Sequence, residues 1–172
     1  MRSNLLITGV LAAVATSGLI GTGSAAAQAD EPTTTTEKGI VLECSGTWRG
    51  EDVYSSLYEN SVYGNTIQVV VGGGDVAGDS RSTRHAFLDG RAVRGVLKLD
   101  GRRAVIAGTA HAVGGKTAVH EELDDAGQHI TTDGTHRRLA SNLRLTWKGT
   151  TVPLDCPESF VYDLQVTKEP IG

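Results

Sequence analysis

Thr83 to Thr132 carries five runs of alternating apolar and polar residues, joined by four short turns that each contain glycine. A chain built this way has little choice but a continuous antiparallel meander. Asp89-Gly90, Asp100-Gly101 and Gly114-Gly115 are two-residue hairpin signals, and Asp124-Asp125-Ala126-Gly127 reads as a four-residue loop. The alternation continues on both sides. Gly39 to Trp48 gives an opening strand with Ile40, Leu42 and Cys44 on one side, and Thr66 to Val71 gives a half-buried strand. Asn142 to Lys148 and Phe160 to Lys168 each pair one apolar face with one polar face, with Pro153 and Pro157 framing the link between them. Tyr54 to Gly64 reads as a hairpin or an irregular loop with tyrosines at a contact surface or in rim packing. Gly72-Gly73-Gly74-Asp75 is a loop, and no helix pattern or Gly-Lys-Ser/Thr follows to make it a phosphate cradle. The total of roughly nine or ten strands implies an all-β domain, an up-and-down meander closing into a barrel, with a sandwich as the alternative. Short turns leave no room for Greek-key crossovers, and closure removes exposed edges.

Arg2 followed by the apolar run Leu5 to Ile20 and the small residues Gly21 to Ala29 has the order of a secretory signal peptide, cleaved after Ala27 or, preferably, Ala29. The apolar run is shorter than the roughly 20 residues a membrane span needs, so no membrane association is expected after cleavage. The expected organisation is therefore a leader over 1–29, a flexible Thr-rich linker over 30–38 containing Thr33 to Thr36, and one all-β domain over 39–172. Loss of the leader removes Arg2 from 16 basic residues and no acid from 20, leaving 15 against 20 and a net charge of −5. That balance argues against a nucleic-acid partner. Export would place Cys44 and Cys156, the two cysteines of the chain, in an oxidising compartment, where a disulfide between them is the default. The long loop it closes corresponds to on the order of 4 to 5 kcal/mol in the chain-entropy picture.

Cys44-Ser45-Gly46-Thr47-Trp48 resembles the opening strand of the calycin barrels, the lipocalins and avidins, in which a Gly-x-Trp on the first strand plugs one end of an up-and-down barrel. The resemblance places Gly46 and Trp48 in those positions and implies a barrel. It brings no ligand: avidin-like sites use several tryptophans, and this chain has Trp48 and Trp147.

The turns also imply a register. Taken as above, they set Leu88 against Arg91, Leu99 against Arg102 and Val113 against Lys116, so that one cross-strand row becomes His85, Arg94, Ala107, Glu122 and His129. The next row becomes Phe87, Ala92, Thr109, His120 and Thr131, with His111 on the same face. Val93, Leu97, Leu99, Ile106, Val119, Leu123 and Ile130 would form the drier face. Two readings of the histidine face stay open: a solvated sheet surface with a Glu122–His129 ion pair, or a metal site in which His120, Glu122 and His129 hold zinc or non-haem iron. Nucleophilic catalysis finds no Gly-x-Ser-x-Gly elbow, Glu121 and Glu122 point to opposite faces, and Asp124 and Asp125 suit a turn. Three function classes follow. The first is a secreted, monomeric barrel binding a small apolar molecule or a surface partner. The second is a structural or cell-envelope interaction protein without a pocket, and the third is a metal-dependent enzyme on the histidine face. An apolar internal cavity would favour the first, a filled core with exposed tyrosines the second, and converged imidazoles the third.

Overall fold

The computed structural model describes residues 31–171; the expected signal peptide lies outside the described residues. Among the described residues ten strands are formed: β1 (Thr33–Trp48), β2 (Glu51–Asn60), β3 (Gly64–Val71), β4 (Ala77–Thr83), β5 (Leu88–Asp89), β6 (Ala92–Leu99), β7 (Arg102–Ala112), β8 (Thr117–Asp125), β9 (Gln128–Trp147) and β10 (Thr150–Pro170). They make one antiparallel sheet in the order β4-β3-β2-β1-β10-β9-β7-β6-β5, with β8 also on β9, curled into an open half-barrel. The first and last strands are neighbours, as the short turns imply, with Thr33 facing Lys168 and Leu42 facing Ser159.

The curl stops short of the expected closure. β4 and β6 approach, and Arg81 Nη1 donates to the Val96 carbonyl at 3.4 Å, but no backbone ladder joins them. The reason is in the strands: β4 (Ala-Gly-Asp-Ser-Arg-Ser-Thr) buries only Ala77, and β5 is two residues long. Neither offers the alternating apolar set that would hold an edge closed.

Apolar residues fill the concave face. Ile40, Leu42, Cys44, Leu57, Ile67, Val69, Leu97, Leu99, Ile106, Leu143, Leu145 and Trp147 are all buried there. Each large side chain taken fully out of water contributes roughly 1.5 to 3 kcal/mol. Cys44 of β1 and Cys156 of β10 are joined by the expected disulfide. It sits where β10 carries a bulge between Leu154 and Phe160, so the Pro153–Pro157 segment is an irregularity within one long strand, not a separate connection.

Three sequence expectations are corrected. Thr33–Lys38 is not a free linker: it pairs with Asp163–Lys168, and Thr34 Oγ1 and Thr167 Oγ1 lie 3.0 Å apart. β-branched threonines suit a strand, and the second half of β10 supplies a ladder that an apolar count does not see. Gly114-Gly115 does not reverse the chain. β8 runs on in the direction of β7, both antiparallel to β9, and the backbone N–H of Val113 still donates to Arg138 O at 2.9 Å through the jog. Gly114, at φ 69°, makes that offset possible. Finally, Gly90-Arg91 forms the β5–β6 turn, because Asp89 faces Ala92 and Leu88 faces Val93; His85 therefore lies in a loop and does not face Arg94.

β9 and β10 thus run through two regions. Their half nearest the Lys148-Gly149 turn belongs to the curled core. Their other half, with β8 and the start of β1, forms a four-stranded arm on which β8 has no buried residue.

Candidate functional site

The arm carries the histidine face. His129 stands opposite Asp124, Thr131 opposite Glu122, and Asp133 opposite His120. His129 Nδ1–H donates to Asp124 Oδ1 at 2.6 Å and His120 Nδ1–H to Asp133 Oδ1 at 2.7 Å, while Glu122 Oε1 lies 3.6 Å from His120 Nε2. The expected Glu122–His129 pair is corrected: Ala126-Gly127, at φ 49° and 77°, is a two-residue turn, which moves the partner of His129 two places along β8. The hydrogen bond to Asp124 raises the His129 pKa above that of a free imidazole, with further help from the charges of Asp124, Glu122 and Glu169; for His120 the hydrogen bond to Asp133 does the same. These pairs are exposed to solvent, so each is a weak clasp on the hairpin.

His120, Glu122 and His129 do share one face, but each imidazole is engaged by its own aspartate. Among the described residues no group of three or more His, Cys, Asp or Glu is arranged to hold a metal. The expected continuous row dissolves for a second reason. β7 and β8 are end to end instead of side by side, so Arg94, Ala107 and Arg144 lie across one another on the convex face. His120 and His129 lie on the extension of the concave one, and His111, opposite Ala140, is convex. Leu123 and Ile130, expected on the dry face, sit on the other side of the arm, Leu123 at 58% exposure.

The closed end of the core is built from two tryptophans. Trp48 and Trp147 rings meet with centroids 4.5 Å apart, and the Arg49 guanidinium and the Lys148 ammonium lie 4.8 Å and 4.4 Å from the respective ring centroids. Trp147 Nε1 donates to Leu99 O at 3.2 Å, and Lys148 Nζ reaches Asp100 Oδ2 at 2.8 Å. Gly46 is required beside them, because a Cβ there would lie 2.8 Å from Pro153 O. Sequence reasoning gave Trp48 the plug position and saw Trp147 without placing it at the same end, although the signal is present. Thr47-Trp48-Arg49-Gly50-x-x-Val53 and Thr146-Trp147-Lys148-Gly149-x-x-Val152 are the same pattern, each a tryptophan entering a two-residue turn at positive φ.

On the convex side, Tyr162 is buried over Gly39 and its hydroxyl donates to Glu59 O at 2.7 Å. Tyr58 stacks on it, and Asn60 Nδ2 donates to Glu37 Oε2 at 2.6 Å and to the Tyr58 hydroxyl at 2.7 Å. Burial lifts the Tyr162 phenol far above its ordinary range, so it stays protonated here. Tyr63, at the β2–β3 turn, is 65% exposed and rims an open cleft of about 800 Å³ with Lys38, Asn65, Thr83 and Arg84. Two further clefts are likewise open to solvent.

No protein-family description and no curated protein matches the chain. A solved structure of a candidate AttH from Nitrosomonas europaea is similar over 78% of this chain and 51% of its own length, at 12% identity and a TM-score of 0.30. The chain spans about half the length of that protein.

Proposed function

We propose that the chain is an exported, non-enzymatic binding module of the cell surface or its surroundings that engages a partner on its outside and does not carry a small molecule within. The packed interior carries this reading. Trp48 and Trp147 fill the closed end, large aliphatic side chains fill the rest of the concave face, and the clefts among the described residues are open surface features. The Cys44–Cys156 disulfide and the apolar leader support export, and no helix among the described residues is long and apolar enough to cross a membrane. A zinc-dependent role for His120, Glu122 and His129 has their shared face in its favour and their separate aspartate bonds against it.

The test is to recover the protein from culture medium with its own leader and measure its intact mass before and after organic extraction. The expected result is a chain lacking residues 1–29, two hydrogens lighter than the dithiol, with no co-purifying small molecule. A fluorescent fatty acid should show no saturable binding. A stoichiometric extracted lipid would overturn the surface-binding reading in favour of a carrier. Zinc titrated into the same sample should give weak shifts scattered over the histidines; joint broadening of His120 and His129 at one equivalent would restore the metal site.

A further inference from the structure

Charge is divided between the two regions of the sheet. On the convex face of the curled core, Arg94 of β6 faces Ala107 of β7, which faces Arg144 of β9, and Arg103 stands four residues along β7 from Ala107, itself opposite Lys98. All four cations are exposed, and no acid shares those rows; Asp100, in the adjoining turn, is already bonded to Lys148. On the concave-side face of the arm, Asp124 of β8 faces His129 of β9, which faces Glu169 of β10, and Asp133 stands four residues along β9 from His129. These acids are exposed too. The basic residues nearest in register on this face are His129 and His120, each bonded to one of these aspartates, and Lys38, tied to Asp163 at 2.9 Å; Glu122 and Glu169 add acid beyond those hydrogen-bonded pairs.

The two sets have the same layout. Each is a pair of like charges on the outer strands of a three-strand row, separated by two strand spacings or about 10 Å, with a third on the middle strand about 13 Å away. A triangle with two equal sides is its own mirror image, so one set can be laid face to face on the other with every charge opposed. We propose that the arm of one copy docks on the convex basic face of a second copy, head to tail, with Asp124, Glu169 and Asp133 over Arg94, Arg144 and Arg103. This deepens the surface-binding reading and rests on it, the partner being another molecule of the same chain. An anionic polymer would satisfy the basic face alone and leave the acidic face of the arm without a partner. The contact is heterologous, because each copy keeps one free arm and one free basic face, so it extends into chains or rings and does not stop at a dimer.

Sedimentation of the disulfide-bonded protein tests it. At about 0.01 M salt the average mass should rise with concentration, and at about 1 M salt, where screening acts over about 3 Å, the protein should return to monomer. Arg94→Glu/Arg144→Glu removes the basic face, and Glu122→Lys/Glu169→Lys reverses the arm without touching the histidine-bonded aspartates. Each variant alone should be monomeric at low salt, and an equimolar mixture should associate again, because the unchanged arm of the first meets the unchanged basic face of the second and the reversed lysines meet the reversed glutamates. Circular dichroism and thermal unfolding confirm that both variants are folded. A wild-type monomer at low salt, or association that neither reversal reduces, overturns the proposal. Heparin binding that Arg94→Glu/Arg144→Glu abolishes, without self-association, would overturn it in favour of a polyanion. In either of those outcomes the lipid-extraction result still stands or falls by itself, so the surface-binding reading is judged separately.

Discussion

Asp124 and Asp133 decide the chemistry of the arm, and neither is singled out by sequence alone. A carboxylate raising the pKa of His129 was legible, because Glu122 and Asp124, the two positions that either turn length sets across from it, are both acids. Which acid depended on the length of that turn. Asp124 and Asp125 favour turns, so the loop read as four residues; in the structure both stand in the ladder, opposite His129 and Gln128. Asp124→Asn should therefore lower the titration midpoint of His129, followed by NMR of its ring protons, and leave His120 unmoved, while Asp133→Asn should do the reverse. Equal effects of either change on both rings would refute these pairings. The sign of the pH effect follows from the raised values. A histidine with a folded pKa above the unfolded value of about 6.5 contributes stability fully below that value and loses it as pH rises through the folded one. The melting-temperature gap between wild type and the Asp124→Asn/Asp133→Asn variant should accordingly be widest near about pH 6 and shrink towards alkaline pH. A gap that grows with pH would contradict the assignment.

At the scale of elements, β9 is the template for everything on its edge. Its 20 residues are long enough to pair with β7 over one half and β8 over the other, so Gly114-Gly115 becomes an offset in one interrupted strand. Periodicity showed both strands but could not separate a reversal from a jog, because two glycines permit either and only the length of the partner strand decides. The same blindness made a linker of Thr33–Lys38, whose fit is set by β10 and not by its own composition. If the arm is held mainly by its ladders, crowding one of them should detach it without unfolding the core. Gly134 offers the site: at φ 155° a Cβ there would lie 2.2 Å from Asp163 O, across the β9–β10 ladder. Gly134→Val should cost about 1 to 3 kcal/mol locally. Protease cuts and loss of amide protection should appear in β8 and the first half of β9, with the near-ultraviolet dichroism of the Trp48–Trp147 pair retained. Simultaneous loss of the tryptophan signal would show that arm and core unfold as one.

For the whole molecule, alternation and turn spacing were enough to establish an antiparallel all-β sheet with its ends side by side. Completeness of closure was not, since it hangs on β4 and β5, where a weak strand looks much like a strong one in sequence. With the β4–β6 seam open, the molecule is held round chiefly by β1, β10 and β9, and the disulfide lies inside that set. Cys44 and Cys156 are 112 residues apart in the chain but occupy strands that already pair along most of their length. The bond therefore adds little to the geometry of the native sheet. Its main effect is on the unfolded chain, whose freedom it restricts, and a loop of this length corresponds to roughly 4 to 5 kcal/mol. Cys44→Ala/Cys156→Ala, or the wild type in reductant, should unfold at clearly lower denaturant concentration, while amide protection along the β1–β10 ladder under native conditions stays high. The denaturant dependence should become steeper, because the released chain exposes more surface when unfolded. An unchanged midpoint would remove the disulfide from the stability of the fold. A lower midpoint accompanied by loss of the β1–β10 ladder before unfolding would instead mean that the bond shapes the native sheet, and that the ladder cannot hold the two ends together by itself.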